Sequence, residues 1–494
     1  MISLLPEFDP SNVIYTTPGN SCHPPSPNSG TLTPKYFATK FGCCQSLDLG
    51  LNTSEIAVRR HLLDSCNIRN NLRMRGRLWS AGAAIFSVSM SDASPGGLLV
   101  RPIWPGLWKQ RLAALLLLSL LPVLLYWTWC TPERGCLALI HFGQNFAARA
   151  LPEVRALDPP ALSPWGYDGQ FYAQIALDPT LRSPELEQAL DNPHYRSRRI
   201  GLPALAALLG LGDPLWTLQI YSVLNLLFWL MLAVLLTSRY PPDRPQHWLM
   251  YVAVLWSAGA LHSMDRSLTD LPAATLGLLA VCIGQRGGRW LMAMSALLRD
   301  TTLLSFIAVS GWQPVANPRI WLRSLGIILL MTLPLLLWTG WVYLRFGQIS
   351  SGQSRMFAWP GVALWDKFTA LASQLSGSTD LDLPRFSFWL LELLAPLSLL
   401  VQSIYLLSRP EPRSALWLYG IGFAVLLWML GPPVWAAQTA CTRALLPLTL
   451  SFNLLLLERR PATFGYWFVL GNIGLCGMAL KIPYVALMKV IGTG

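Results

Sequence analysis

The chain has 494 residues, of which 53% are hydrophobic and only 13% are charged. This composition excludes an ordinary soluble protein, and several apolar runs reach the roughly 20 residues that a spanning helix needs. The net charge of +12 does not indicate a nucleic-acid partner, because Arg and Lys fall mainly in short loops between apolar runs. We therefore predict an integral membrane protein, an all-α polytopic bundle of about 10–12 helical segments.

The first part of the chain, residues 1–95, differs from the rest. It is rich in Ser, Asn, Pro and Thr and shows no sustained apolar period, so we predict a disordered leader. Met90 begins a stretch that is more typical of a cytoplasmic N-terminus, so an over-extended start of translation is the alternative interpretation. Residues 100–485 are expected to form one transmembrane domain.

The first apolar run, Leu112–Trp129, follows the basic segment Arg101–Arg111, which places its beginning in the cytoplasm. The run leads into a long loop on the outer side, residues 130–199. Loops of this length without their own apolar span are usually functional. Cys130 and Cys136, at the start of this loop, either form a disulfide in an oxidising compartment or remain as two thiols.

Further apolar runs follow the long loop. Ile200–Leu211 is too short to span and would form a surface or re-entrant helix. The predicted spans are Pro214–Thr237, 248–263, 271–284, 325–344, 387–407, 414–431, 443–458 and 464–480. They place a second long loop, 346–386, on the outer side.

The stretch Trp290–Trp312 is ambiguous, because the charged pair Arg299–Asp300 interrupts it. If the stretch crosses the membrane once, the basic loop Arg319–Arg323 falls outside, against the positive-inside rule. If it consists of two half-helices that dip into the membrane and return, that loop stays inside.

An aspartate in the first outer loop is the leading candidate for chemistry. The segment Trp165–Tyr172 places Asp168 beside Tyr167, with Gly166 and Gly169 on either side. These glycines permit backbone angles and close approaches that other residues resist. Asp168 is a candidate to accept a proton from an acceptor hydroxyl or to help hold a metal ion. A turn aspartate that satisfies nearby N–H groups is the alternative.

Three arginines end the same loop. Arg196, Arg198 and Arg199 lie on the predicted outer side, where the positive-inside rule does not explain them. Guanidinium groups bind phosphate through paired hydrogen bonds, so a lipid phosphate is one candidate partner. Ordinary anionic headgroups are the other. Arg443, at the outer start of a later span, is a further candidate for phosphate.

Other ionisable residues lie within or between apolar runs. Asp265 and Asp270 occupy a short outer turn, where they would hold a divalent metal or serve as a solvated turn and helix cap. Arg299–Asp300 lies inside an apolar run, where charges are costly and usually functional; a structural neutralising contact is the alternative. His194 and His262 are isolated, so we expect satisfied polar roles for both.

Together these segments resemble the GT-C superfamily of integral-membrane glycosyltransferases, specifically bacterial mannosyltransferase-like membrane proteins. The likeness covers roughly residues 100–460. The segments that carry it are Gly166–Tyr172, Ala176–Pro179, Tyr195–Arg199, Leu202–Pro203, Thr269–Pro272, Leu298–Thr301 and Arg443–Pro447.

The resemblance implies sugar transfer from a polyprenyl-phosphate donor to a lipid or glycan hydroxyl at the outer face of the bacterial inner membrane. It implies a catalytic role for Asp168. The substrate-binding residues that we expect are Tyr167, Gln170, Tyr172, Arg196, Arg198, Arg199, Asp270, Arg299, Asp300 and Arg443.

One departure from the family concerns its acidic residues. The family commonly has neighbouring acids, whereas Asp168 stands alone, ten residues from Asp178. The residues assign no metal site and leave a divalent metal open as a cofactor. A transporter or lipid flippase, and a non-catalytic relative with the same fold, are the competing hypotheses.

Overall fold

The computed structural model describes residues 108–313, 317–347, 356–377, 383–436, 438–475 and 477–491. The predicted leader, residues 1–95, therefore lies outside the described residues, as do parts of the second predicted outer loop. The described chain is mostly helical, which confirms the predicted class. Four helices are long and apolar enough to cross a membrane: Trp108–Trp129, Pro214–Arg239, Pro318–Phe346 and, within a longer helix, Trp389–Ser408. The chain is an integral membrane protein.

The described residues contain twenty-two α-helices, of which twelve have at least ten residues. The first eleven are α1 Trp108–Trp129, α2 Gln144–Ala147, α3 Pro152–Leu157, α4 Gly169–Leu177, α5 Pro184–Ala189, α6 Pro193–Ser197, α7 Gly201–Gly210, α8 Pro214–Arg239, α9 Pro245–Leu255, α10 Ala258–Asp265 and α11 Asp270–Ile283. The others are α12 Gln285–Leu298, α13 Ile307–Ser310, α14 Pro318–Phe346, α15 Val362–Gly377, α16 Leu383–Ser408, α17 Ala415–Met429, α18 Pro432–Trp435, α19 Gln438–Ala444, α20 Leu446–Arg459, α21 Phe464–Asn472 and α22 Gly477–Val490.

Two 3-10 helices, Leu137–Ile140 and Asp300–Ser305, and a small parallel sheet complete the described structure. The sheet pairs β1 (Phe142–Gly143) with β2 (Ala161–Ser163). The predicted total of 10–12 helical segments is too low, because the first outer loop folds into short helices and several spans are interrupted.

The first outer loop packs into a hydrophobic core that it shares with α7, α8, α11, α12 and α14. Phe171 and Ile175 of α4 are buried in it, together with Leu202 of α7 and Tyr221 of α8. Burial of these side chains supplies the main favourable free energy for ordering the loop. A disulfide joins Cys130 to Cys136 at its beginning. The loop is thus a folded layer that can fix polar side chains in place.

Three predicted spans are not continuous helices, and one of them, 464–480, is divided between α21 and α22. The run 248–263 breaks between α9 and α10, where the Ser257 hydroxyl caps α10 by accepting the Ala260 N–H. The run 443–458 breaks between α19 and α20 at Leu445. Near the first break, the backbone of Gly259 lies close to the backbone of α19, since a Cβ on Gly259 would be 2.5 Å from the Thr442 carbonyl oxygen. Apolar sequence alone did not reveal these breaks.

The ambiguous stretch forms a hairpin. Helix α12 ends at Leu298, and the chain turns at Arg299 into the second 3-10 helix and α13. The Arg289 Nε, near the beginning of α12, donates to the Val309 carbonyl oxygen in α13 at 3.2 Å. Both ends of the stretch therefore lie together, and Arg299–Asp300 is the tip. This geometry is that of the dip-and-return arrangement, for which we expect Arg319–Arg323 to lie on the inner side.

This hairpin predicts the sidedness of the following basic loop. A cysteine replacing Arg323 should react with a membrane-impermeant thiol reagent only after the membrane is opened, as should one replacing Arg286. A cysteine replacing Leu344, at the far end of α14, should react in intact cells. The measurement is labelling of single-cysteine variants, and reaction of Arg323→Cys in intact cells would contradict the hairpin.

Candidate functional site

Asp168 and Arg443 meet at the centre of a polar cluster. Asp168 lies at the start of α4, and its Oδ1 is 3.0 Å from Arg196 Nη1 of α6. Its Oδ2 accepts a hydrogen bond from Arg443 Nη2 of α19 at 3.1 Å. The other terminal nitrogen of Arg443 is 3.4 Å from Oδ2 of Asp270, the first residue of α11. Arg443 therefore bridges two carboxylates that are far apart in sequence.

The alternation of charge continues at both ends of this cluster. Arg196 donates from Nε and Nη2 to the two carboxylate oxygens of Asp191, at 2.8 and 2.7 Å. Asp270 also forms an ion pair with Arg299 at the hairpin tip. We call this row the charge ladder: Asp191, Arg196, Asp168, Arg443, Asp270 and Arg299. It connects the outer loop to α19, α11 and the hairpin.

Two glycines explain how Asp168 reaches this position. Gly166 has φ of +66°, and a Cβ there would lie 2.5 Å from the Gly143 nitrogen. A Cβ on Gly169 would lie 2.3 Å from the Arg266 carbonyl oxygen. The backbone between them is fixed by the Tyr167 N–H, which donates to the His141 carbonyl oxygen at 2.9 Å. Only glycine permits this close packing at both positions.

Two more arginines of the outer loop lie beside the ladder. Arg198 Nη2 is 3.2 Å from Oδ2 of Asp300. Arg199 is buried and donates to the hydroxyls of Tyr172 and Tyr195, both at 2.7 Å. No carboxylate lies within ion-pair distance of Arg199 in the described part of the chain. Each member of the Arg299–Asp300 pair thus finds its partner elsewhere in the sequence.

The Tyr167 ring packs against Arg443 of the ladder. The Tyr167 hydroxyl is 3.1 Å from Nε2 of His262, whereas Nδ1 of that histidine lacks a hydrogen-bond partner among the described residues, so only one ring nitrogen has the expected polar contact. The guanidinium groups of Arg266 and Arg443 lie over the Tyr167 ring, 4.6 and 5.4 Å from its centroid. Electron-rich ring faces attract such cations. Tyr167 therefore helps to position Arg443.

A second polar group surrounds Asp265 and is separate from the ladder. Trp129 Nε1 donates to Asp265 Oδ1 at 2.8 Å, and Arg266 Nε lies 3.3 Å from its Oδ2. His141 packs edge-on against Trp129, and burial lowers the pKa of its imidazole to about 3, which leaves it neutral. Asp265 and Asp270 have different arginine partners and both are buried, so they form neither one shared site nor the solvated turn that the sequence suggested.

Two other polar residues of the outer loop, Gln170 and Asp178, make local contacts, and a third, His194, has an unpaired ring nitrogen among the described residues. The Gln170 side chain accepts from the Gly143 N–H at 3.0 Å and donates to the Trp165 carbonyl oxygen at 2.9 Å, so it secures the loop. Asp178 accepts from the Thr180 hydroxyl and the Ser183 N–H. His194 is buried, and its Nδ1 lacks a hydrogen-bond partner among the described residues, against the predicted satisfied role.

The electrostatics favour an ionised Asp168. Burial alone would raise its pKa, but Arg196, Arg443 and Arg199 outweigh burial and hold the pKa well below its usual range. The same contacts do not suit a divalent cation, because guanidinium nitrogens occupy both carboxylate oxygens. Within the described ranges, no group of three or more His, Cys, Asp or Glu side chains is arranged to hold a metal ion.

Sequence reasoning missed one member of the ladder. Asp191 follows a polar stretch and precedes Asn192-Pro193, so it resembles an ordinary residue before a helix start. Its spacing of five residues from Arg196 was the available signal. The folded chain uses Asp191 to hold Arg196 by two hydrogen bonds, a geometry that restricts guanidinium orientation strongly.

The depressed pKa of Asp168 predicts a pH-dependent contribution to stability. A carboxyl whose pKa is lower in the folded state stabilises the fold above its unfolded pKa of about 4, and this is lost as pH falls through the folded value. Asp168→Asn should therefore lower the unfolding temperature at neutral pH, and the difference from wild type should shrink below about pH 4. Thermal unfolding in detergent across pH measures this, with the exposed Asp366→Asn as the control. A difference unchanged in acid would contradict the ion-pair account.

No family model matches the chain, and searches of curated proteins and of solved structures gave no significant match. The charge ladder and its surroundings are therefore the features of this chain that bear on its function.

Proposed function

We propose that the protein is a membrane glycosyltransferase of the GT-C type. It would move a sugar from a polyprenyl-phosphate donor to a hydroxyl of a lipid or glycan acceptor on the outer side of the bacterial inner membrane. The observation that carries the proposal is the position of Asp168 in a row of arginines between the outer loop and the membrane helices. A carboxylate and several phosphate-binding cations are the groups that this reaction requires.

The charge of the cluster supports an anionic ligand. The ladder contains three arginines and three aspartates. Beside it lie the Arg198–Asp300 ion pair and Arg199. The whole cluster therefore has five arginines and four carboxylates, which leaves one positive charge in excess. Arg199 contributes this excess, because its partners are tyrosine hydroxyls. Arginine is well suited to phosphate, since its planar fork matches two phosphate oxygens. A phosphate group bound here would restore neutrality in a partly buried site.

In the proposed reaction, Asp168 accepts a proton and the arginines stabilise the leaving phosphate. The Asp168 carboxylate takes the proton of the acceptor hydroxyl, whose oxygen attacks the anomeric carbon of the sugar. The bond from that carbon to the phosphate oxygen breaks, and its electron pair leaves with the phosphate. Arg443, Arg199 and Arg299 stabilise the negative charge that develops there. Attack opposite the leaving group inverts the anomeric centre.

A non-catalytic membrane protein with this architecture is the second candidate. One observation favours it: both oxygens of Asp168 are engaged by arginines, at 3.0 and 3.1 Å, so the carboxylate is neutralised as in a structural ion-pair network. Such a chain would need the ladder for folding and would transfer no sugar.

Substitution of Asp168 separates these candidates. In membranes supplied with radiolabelled polyprenyl-phosphate sugars, Asp168→Asn should reduce transfer by about 10²- to 10⁴-fold, because the amide cannot accept the proton. Asp178→Asn, in the same loop but away from the ladder, should keep near wild-type transfer. Equal transfer by wild type and Asp168→Asn at equal protein level would contradict the catalytic assignment. No transfer from any donor by wild type would favour the non-catalytic candidate.

Substitution of Arg443 tests the phosphate role. Arg443→Lys retains the charge, but one ammonium group cannot bridge Asp168 and Asp270 as the guanidinium does. We expect transfer to fall by about 10²-fold, mainly in kcat, since charge on the leaving phosphate is largest in the transition state. Arg319→Lys, on the inner side, is the matched control. Unchanged kcat for Arg443→Lys would remove Arg443 from the reaction.

A further inference from the structure

We infer that the donor phosphate and the Asp168 carboxylate compete for Arg443, so that donor binding frees one oxygen of Asp168 to act as the base. The inference rests on the proposed function and adds an order of binding to it: donor first, acceptor second. In the absence of donor, Asp168 would occupy the place of the phosphate on Arg443.

The contacts of Arg443 leave little room for an added anion. Its Nη2 donates to Asp168 and its Nη1 faces Asp270, at 3.1 and 3.4 Å. Binding phosphate through two hydrogen bonds uses the same terminal nitrogens. A phosphate can therefore bind this fork fully only if one carboxylate moves away.

Exposure indicates which carboxylate moves. The side chain of Asp168 is 22% exposed, whereas that of Asp270 is 1% exposed and also pairs with Arg299. Moving a buried carboxylate away from its cations is costly, because its charge must remain compensated. The Asp168 side chain already has part of its surface in contact with solvent, so its movement is less costly. It is therefore the carboxylate that phosphate displaces.

Asp168 does not lose all its contacts when this happens. Its Oδ1 stays 3.0 Å from Arg196, which Asp191 holds from the opposite side through two hydrogen bonds. The Arg196 guanidinium also lies over the Phe171 ring, 4.9 Å from its centroid. Displacement thus frees only Oδ2, while Arg196 keeps the carboxylate in place.

The consequence for reactivity follows from electrostatics. Arg443 is one of the cations that hold the pKa of Asp168 below its usual range, so the paired carboxylate is a weak base. When a phosphate neutralises Arg443, that influence on Asp168 falls and its pKa rises. The base gains strength only after the donor is present, which limits wasteful reaction of an acceptor or water before the donor is bound.

A binding experiment tests this competition without requiring transfer. The probe is a sugar-free polyprenyl monophosphate, titrated into purified protein in nanodiscs of neutral lipid. Asp168→Asn should bind it about tenfold more tightly than wild type, because the competing carboxylate is gone. Asp265→Asn removes a buried carboxylate of the neighbouring polar group, which does not contact Arg443, so its affinity should stay at the wild-type value. Arg443→Gln should abolish the gain when combined with Asp168→Asn.

The outcomes separate this inference from the proposed function. Equal affinity of wild type and Asp168→Asn would overturn the competition while leaving phosphate binding intact. An equal gain in the control variant Asp265→Asn would also overturn it, since general removal of negative charge would then explain the effect. Absence of probe binding by wild type, Asp168→Asn and Asp265→Asn alike would overturn the proposed donor class itself.

Discussion

Arg443 between Asp168 and Asp270 is the interaction on which the rest of the site depends. A guanidinium group this far inside a membrane protein requires compensation, and removal of one partner from a buried ion pair typically costs about 3–5 kcal/mol. Two carboxylates supply the compensation, and each of them recruits a further arginine. The alternating row of charges therefore extends from Arg443 in two directions, to Asp191 at one end and to Arg299 at the other.

The fold provides the surroundings that this row needs. The first outer loop contributes α4 to a hydrophobic core, and α6 packs against α4, so that Asp168 and Arg196 are held near each other. The α12–α13 hairpin brings Arg299 to Asp270 from the opposite direction. Because these elements are far apart in sequence, the ladder also ties the loop to the membrane helices. The same contacts serve stability and, under the proposed function, chemistry.

Sequence reasoning predicted much of this architecture and part of its detail. Hydropathy revealed the long spans, because an uninterrupted apolar run of about 20 residues is rare outside membrane helices. The positive-inside rule favoured the hairpin through Arg319–Arg323. The break between α9 and α10 was not predicted, because it leaves the apolar pattern of the sequence unchanged. It depends on the Ser257 cap and on the close packing of Gly259 against Thr442.

The candidate site was also predictable only in part from the sequence. The unusual ionisable residues Asp168, Arg299 and Arg443 were predictable as candidates, because charges beside or inside apolar chain require a reason. Their pairing was not predictable, since it depends on tertiary contacts between residues as distant as Asp168 and Arg443. Asp191 lay in a polar segment with no such contrast, so only its spacing of five residues from Arg196 pointed to it.

The most direct measurement is a cryo-electron microscopy structure of the protein in a nanodisc with a polyprenyl monophosphate bound. The account predicts phosphate density within hydrogen-bond distance of Arg443, with Asp168 turned away from Arg443 and still paired with Arg196. Phosphate density elsewhere, with the contact between Asp168 and Arg443 intact, would contradict the account.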